Sequence, residues 1–302
     1  MTDIWIAITV MMVISLLCSL VTGGVLYIRD GQSSMLFIAL AVLATVVFQI
    51  YVSGQLFLAQ WIPSTAAVIY TNFSAFFAAA AAGWAWRVPK TPAWRRAFLA
   101  LSLGLASVLA TCWPLASRVL RPAPPGAAQW QGEVALQSAR ATCSPAAAAT
   151  LLRQHGIEVD ERDLVPLCLT DRSGTSTLGL YRGVKKVASE NHLDVEIVDS
   201  SLDQLLEAND WPVLLAVKLP YGVEDPRYAR DWGWIPGTGH SVVALGRLPG
   251  GRVVVGDPSV GIEAWSREDL ELLWHGVGLR LRTDTVLSLI HISEPTRHHV
   301  IA

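Results

Sequence analysis

Cys143-Ser144-Pro145-Ala146-Ala147-Ala148-Ala149-Thr150-Leu151-Leu152 decides how the second half of this 302-residue sequence is read. Pro145 and Gly156 bracket an Ala-rich run, with proline just inside a helix start and glycine just past its end, where each is favoured. The spacing predicts a helix that begins at Cys143 and stops at Gly156. Its first residue then lies against free N–H groups and the positive end of the helix dipole, which favour a thiolate over a thiol. Residues 134–136, Val-Ala-Leu, form a short apolar lead-in of strand type ahead of it.

A thiolate used as a nucleophile needs a base within hydrogen-bond reach, commonly oriented by a third group. His155 falls in the last turn of the cysteine's own helix, where a cation suits the dipole. His192 lies in a polar stretch and reads as surface, and His275, beside Trp274 and Gly276, reads as packed. His240 differs from these. It follows Gly237-Thr238-Gly239 and opens the apolar run Ser241-Val242-Val243-Ala244-Leu245. A second run, Arg252-Val253-Val254-Val255, follows the turn Leu248-Pro249-Gly250-Gly251, so the two read as an antiparallel hairpin. A turn centred near Gly250 brings His240 level with residues 257–260 and puts Asp257 at its open end. Gln137, six residues before Cys143, supplies a side-chain amide suited to the negative charge that develops on a carbonyl oxygen under attack. The long aromatic segment 221–234 reads either as a lid or substrate-binding loop or as a plain surface insertion.

The first half has another character. Residues 1–126 hold seven Lys/Arg and two Asp/Glu, and residues 127–286 hold fifteen and twenty-two. An acidic second half without a clustered basic face argues against a nucleic-acid partner. Residues 4–28, 35–59, 64–86 and 97–115 are four apolar runs of membrane-spanning length, with tryptophans near their ends. Arg87, Lys90, Arg95 and Arg96 place the loop between the third and fourth spans in the cytoplasm, which puts the second half outside the cell membrane. Arg118 and Arg121 run against that rule. Arg121-Pro122-Ala123-Pro124-Pro125-Gly126 is a stiff linker by composition.

The expected organisation is a multi-pass transmembrane region over 1–120, a linker over 121–129 and a mixed domain over 130–286. Residues 287–302 include Leu287-Ser288-Leu289-Ile290-His291-Ile292-Ser293-Glu294-Pro295, which reads as translated sequencing adapter, so His291, His298 and His299 form no metal cluster. The four cysteines show no zinc-type spacing, and neither metal nor cofactor is expected. Cys143 and Cys168 are left as a possible disulfide in an oxidising compartment.

Together, Gln137, Cys143-Ser144-Pro145-Ala146, Gly174-Thr175-Ser176, Gly239-His240-Ser241-Val242-Val243, Asp257-Pro258-Ser259, Trp265-Ser266 and Trp274-His275-Gly276-Val277 resemble the bacteriocin-processing, double-glycine leader cysteine peptidases of the papain-like clan. The resemblance spans about residues 130–283. It implies a papain-like α/β (α+β) fold, with Cys143 as nucleophile, His240 as general base, Asp257 as orienting group and Gln137 in the oxyanion hole. Ser144 stands where that family usually has glycine. The implied function is a membrane-anchored thiol peptidase acting on a peptide or protein, with the lipid bilayer as its other partner. The alternative is a non-catalytic papain-like module that binds a peptide or senses on a membrane anchor.

Overall fold

The computed structural model describes residues 1–28 and 33–283, so the tail 287–302 lies outside the described residues. Two compact units divide the chain. One comprises Met1–Pro124 with Leu169–Arg182, and the other Pro125–Cys168 with the chain from Gly183 onward.

The first unit holds α1 (Thr2–Ile28), α2 (Ser34–Tyr51), α3 (Phe57–Trp61), α4 (Ala67–Tyr70), α5 (Ser74–Ala85) and α6 (Ala93–Leu120). Four stretches are long and apolar enough to cross a membrane by length and composition: Thr2–Val25, Ser34–Tyr51, Ala67–Ala85 and Ala93–Leu120. Their limits depart from the sequence reading. The second ends at Tyr51 and not at residue 59, because the chain turns at Gly54, whose φ of +80° suits glycine. The third is broken between Tyr70 and Ser74. The fourth runs longer at both ends, and its terminal arginines can extend along the helix while their heads reach water.

Leu169–Arg182 joins this unit through specific contacts that no periodicity announces. Leu169 belongs to one buried apolar cluster with Ile4, Ala7, Ile8, Met11 and Ile69. Arg182, with no exposed side-chain surface, makes a two-pronged pair with Asp3 at 2.9 and 3.2 Å, and Thr65 Oγ1 donates to the same carboxylate at 2.8 Å. A buried guanidinium needs such a partner. The continuous domain expected over 130–286 therefore lends one segment to the other unit.

The second unit begins with the short pair β1 (Trp130–Gln131) and β2 (Val134–Ala135). A 3₁₀ turn at Arg140–Thr142 then leads into α7 (Cys143–Arg153) and α8 (Glu161–Leu167), and α9 (Thr177–Glu190) belongs to the first unit as far as Arg182 and to the second from Gly183. The chain continues through β3 (Leu193–Asp199), α10 (Leu202–Ala208), β4 (Val213–Lys218), β5 (Gly239–Arg247), β6 (Val253–Asp257), β7 (Gly261–Trp265), α11 (Arg267–Leu273) and β8 (Trp274–Thr283). Six strands form one sheet in the order β3-β8-β4-β5-β6-β7, every neighbouring pair antiparallel. This is the α+β arrangement, helices set beside an antiparallel sheet.

Strand side chains alternate between faces, so Val213, Leu215 and Val217 of β4 reach one core with Val242 and Ala244 of β5 and Val253 and Val255 of β6. Helix α7 is buried at every residue from Cys143 to Leu152. Its alanines, 146 to 149, let a helix sit so deeply, because short side chains allow close approach on all sides. The expected turn at 248–251 joins β5 to β6, with Arg247 opposite Val253 and Val243 opposite Gly256. All four cysteines are free, so no disulfide joins Cys143 to Cys168.

The segment 221–234 is exposed over much of its length but is anchored in the core at three points. Tyr228, Trp232 and Trp234 are core residues, and the Trp232 ring stacks on Trp265 at 5.5 Å with 8° between planes. His275, read from sequence as packed, is exposed on β8.

Candidate active site

The start of β5, the end of β6 and the start of α7 meet within the second unit. Cys143 is the first residue of α7, and the turn before it is held by Thr142 Oγ1 donating to Ala139 O at 2.8 Å. His240 lies one residue into β5, and Asp257 is the last residue of β6. Strand pairing carries the two to the same end of the hairpin. His240 Nε2 donates to Asp257 Oδ1 at 2.7 Å, which leaves Nδ1 for the Cys143 thiol, its other side-chain partner. The carboxylate of Asp257 has no exposed surface, whereas 11% of the His240 side chain is open.

Three donors meet the Asp257 carboxylate. Besides His240, Ser259 N–H donates to Oδ1 at 2.8 Å and Trp234 Nε1–H donates to Oδ2 at 2.9 Å. The Trp234 ring also lies 4.5 Å from the imidazole, centroid to centroid. Trp234 thus positions the acid and covers the base together. Sequence reading placed it only in a long aromatic loop; its distance of six residues from His240 carried no recognisable signal. Trp234→Phe keeps an aromatic ring and removes the donor. A hydrogen bond to a charged group is worth about 1.5–3 kcal/mol, so turnover is expected to fall by roughly tenfold or more with KM nearly unchanged.

Burial opposes the charged form of Cys143, yet its hydrogen bond to His240 and the charge there take the thiol below its ordinary value. Ser144 Oγ, 3.9 Å from the sulfur, and the Ser241 backbone act in the same direction. Burial likewise opposes a charged His240, but Asp257 and the thiolate outweigh it and raise the imidazole to about 10. Both shifts favour the thiolate–imidazolium form of the pair over the neutral one. Ser144 Oγ also shares a hydrogen bond of 2.9 Å with Ser241 Oγ, both residues nearly sealed from solvent, and this bridge ties α7 to β5. The serine that departs from the glycine of the resemblance has a partner ready for it.

Gln137 lies just after β2. Its N–H donates to Pro258 O at 2.8 Å, so the residue that follows Asp257 fixes its backbone. Its Oε1 is buried without a hydrogen-bond partner among the described residues. His155 Nδ1 contacts Leu151 O at 3.0 Å inside its own helix, and His192 sits at the α9–β3 junction with φ of +60°. Neither approaches the hairpin end by any described contact.

Residues 131–221 match the Peptidase C39 family. The chain carries a Peptidase C39 domain. The matched stretch includes Gln137 and Cys143 and ends before the hairpin with His240 and Asp257. The Peptidase C39 domain is of the cysteine peptidase class and has the papain-like fold. Among solved structures, the peptidase domain of Streptococcus ComA, a bi-functional ABC transporter involved in a quorum sensing pathway, is 20% identical. Its TM-score is 0.38 over 49% of this chain and 96% of that one. A double glycine motif protease from an AMS/PCAT transporter, solved with its leader peptide, is 18% identical. It has a TM-score of 0.39 over 54% of this chain and 98% of its own. No curated protein matches the chain.

Proposed function

We propose that this chain is a membrane-anchored thiol peptidase that cleaves a peptide or protein substrate through Cys143, His240, Asp257 and Gln137. The observation that carries the reading is the buried line from Cys143 through His240 to Asp257 in a Peptidase C39 domain. In this mechanism the thiolate attacks the scissile carbonyl and the electrons move onto its oxygen. The Gln137 amide and the N–H of Cys143 stabilise that oxyanion. Imidazolium His240 gives its Nδ1 proton to the departing amine, leaving a thioester on Cys143. Neutral His240 then takes a proton from water as water attacks the thioester, and the acid product and thiolate are released. Asp257 holds the ring in the tautomer that both steps need and transfers no proton itself.

An iodoacetamide or epoxide probe applied to the purified full chain tests the reading. Cys143 is expected to label at neutral pH well ahead of Cys18, Cys112 and Cys168, and Cys143→Ala to end peptide cleavage. Labelling of Cys143 no faster than Cys168, or cleavage that survives Cys143→Ala, leaves the peptide-binding module in its place.

Membrane anchoring rests on the four long apolar helices. The basic loop between α5 and α6 gives them a direction, with the peptidase unit on the extracytoplasmic side of the cell membrane. In a background lacking the four native cysteines, Gly250→Cys is expected to react with an impermeant maleimide in intact cells and Pro92→Cys is not. The reverse pattern puts the peptidase in the cytoplasm.

A further inference from the structure

Arg118 and Arg121 stand at the end of α6 opposite the basic loop, against the usual distribution of charge. The structure separates the two. Arg121 Nη2 lies 2.7 Å from Asp171 Oδ2, and its guanidinium sits 5.3 Å from the centre of the Trp113 ring. Arg118 is half-buried and makes no hydrogen bond or ion pair with any described residue. It borders a cavity of about 450 Å³ between α1 and α6, lined by Trp5, Ile8, Cys112, Leu115 and Val119. A partly desolvated cation without a counter-ion is costly, and the apolar cleft beside it has no acidic residue in its lining to supply one.

We propose that this cleft binds one anionic phospholipid, its phosphate on Arg118 and an acyl chain along Ile8 and Leu115. The inference rests on the membrane reading of the four helices. Depth is consistent with it. Helix α6 has 28 residues, roughly 42 Å at 1.5 Å per residue, against a hydrocarbon core of about 30 Å, so a side chain two residues from its end lies at headgroup level. Trp5 and Trp113, both exposed, mark the same level as interfacial aromatics do. Charge selects the headgroup. Asp3 is already shared by Arg182 and the Met1 ammonium, so this corner carries an excess of positive charge before a lipid arrives. A zwitterionic headgroup brings its own cation into that field, whereas an anionic one does not.

Native mass spectrometry of the full chain in detergent, with phosphatidylglycerol or phosphatidylcholine added at equal concentration, tests the proposal. Phosphatidylglycerol is expected to stay bound as a single adduct and phosphatidylcholine to be lost. Arg118→Gln should weaken that adduct roughly fivefold, the worth of one basic residue at an anionic surface, and Arg118→Lys should largely restore it. Ala116→Phe, which fills the cleft and leaves the charge, should weaken it as well. Thermal melts in detergent alone verify that each variant is folded. Equal retention of the two lipids, an adduct indifferent to Arg118→Gln, or displacement by inorganic phosphate overturns the site. Extraction of membranes with alkaline carbonate separates the two readings. Release of the chain removes the membrane anchor itself, and retention without lipid preference removes only the lipid site.

Discussion

Replacing His240 with alanine is expected to lower turnover by roughly four to six orders of magnitude and to move alkylation of Cys143 to higher pH. The two effects have one cause. In the native chain the thiol titrates below its ordinary value of about 8.5, and the imidazole is raised to about 10. Alkylation, which needs only the thiolate, should therefore be fast at neutral pH and fall only as the medium becomes acid enough to protonate sulfur. Turnover needs the imidazolium as well. It should rise along the same acid limb and decline as pH passes about 10, where His240 loses its proton. Without His240, burial remains and the main stabilising partner of the anion is gone, so the acid limb moves above the ordinary thiol value. Stopped-flow labelling and initial rates across pH 5 to 11 separate these limbs. An unchanged labelling profile in His240→Ala would show that the imidazole does not act on the sulfur.

The second large effect belongs to Gln137. Gln137→Ala is expected to lower turnover by about 100- to 1,000-fold, as loss of one oxyanion donor does, while the labelling profile of Cys143 stays in place. The amide carries no charge and does not enter the balance that sets the thiolate, so alkylation and acylation should part company in this variant. The backbone hydrogen bond to Pro258 O survives a side-chain change, and the loop around Asp257 should keep its shape. Gln137→Glu sharpens the test. An ionised carboxylate accepts and repels where the amide donates, so its turnover should fall below that of Gln137→Ala. Equal losses of labelling and turnover would instead mark Gln137 as part of the scaffold.

Local chemistry made much of this site legible. Helix α7 could be read because Pro145 and Gly156 are punctuation that acts within a turn of the chain. The β5–β6 hairpin could be read because a Pro-Gly-Gly turn fixes which residues face each other, and that register carried Asp257 to His240. Other parts depend on partners far away in sequence. Nothing near Arg182 announces Asp3, and nothing near Leu169 announces Ile4, so the transfer of Leu169–Arg182 to the helical unit was invisible. Trp234 was missed for the same reason: its indole N–H finds Asp257 only after two strands and a loop have folded. The interruptions of the third apolar stretch were hidden as well, since mean apolarity is blind to where a helix breaks.

The hydroxyl bridge between Ser144 and Ser241 closes a loop of 97 residues. Closing so long a loop is entropically expensive and slow, so contacts of this kind form late, after the local helices and hairpins. Every group that makes the Cys143 sulfur acidic sits on the far side of that loop except the helix dipole and Ser144 itself. During synthesis the cysteine emerges about a hundred residues ahead of its base, and until β5 arrives it is an ordinary thiol with low reactivity toward oxidants and electrophiles. Reactivity is thus switched on by the completion of folding. A nascent or misfolded chain carries the nucleophile without its activation, and is chemically quiet.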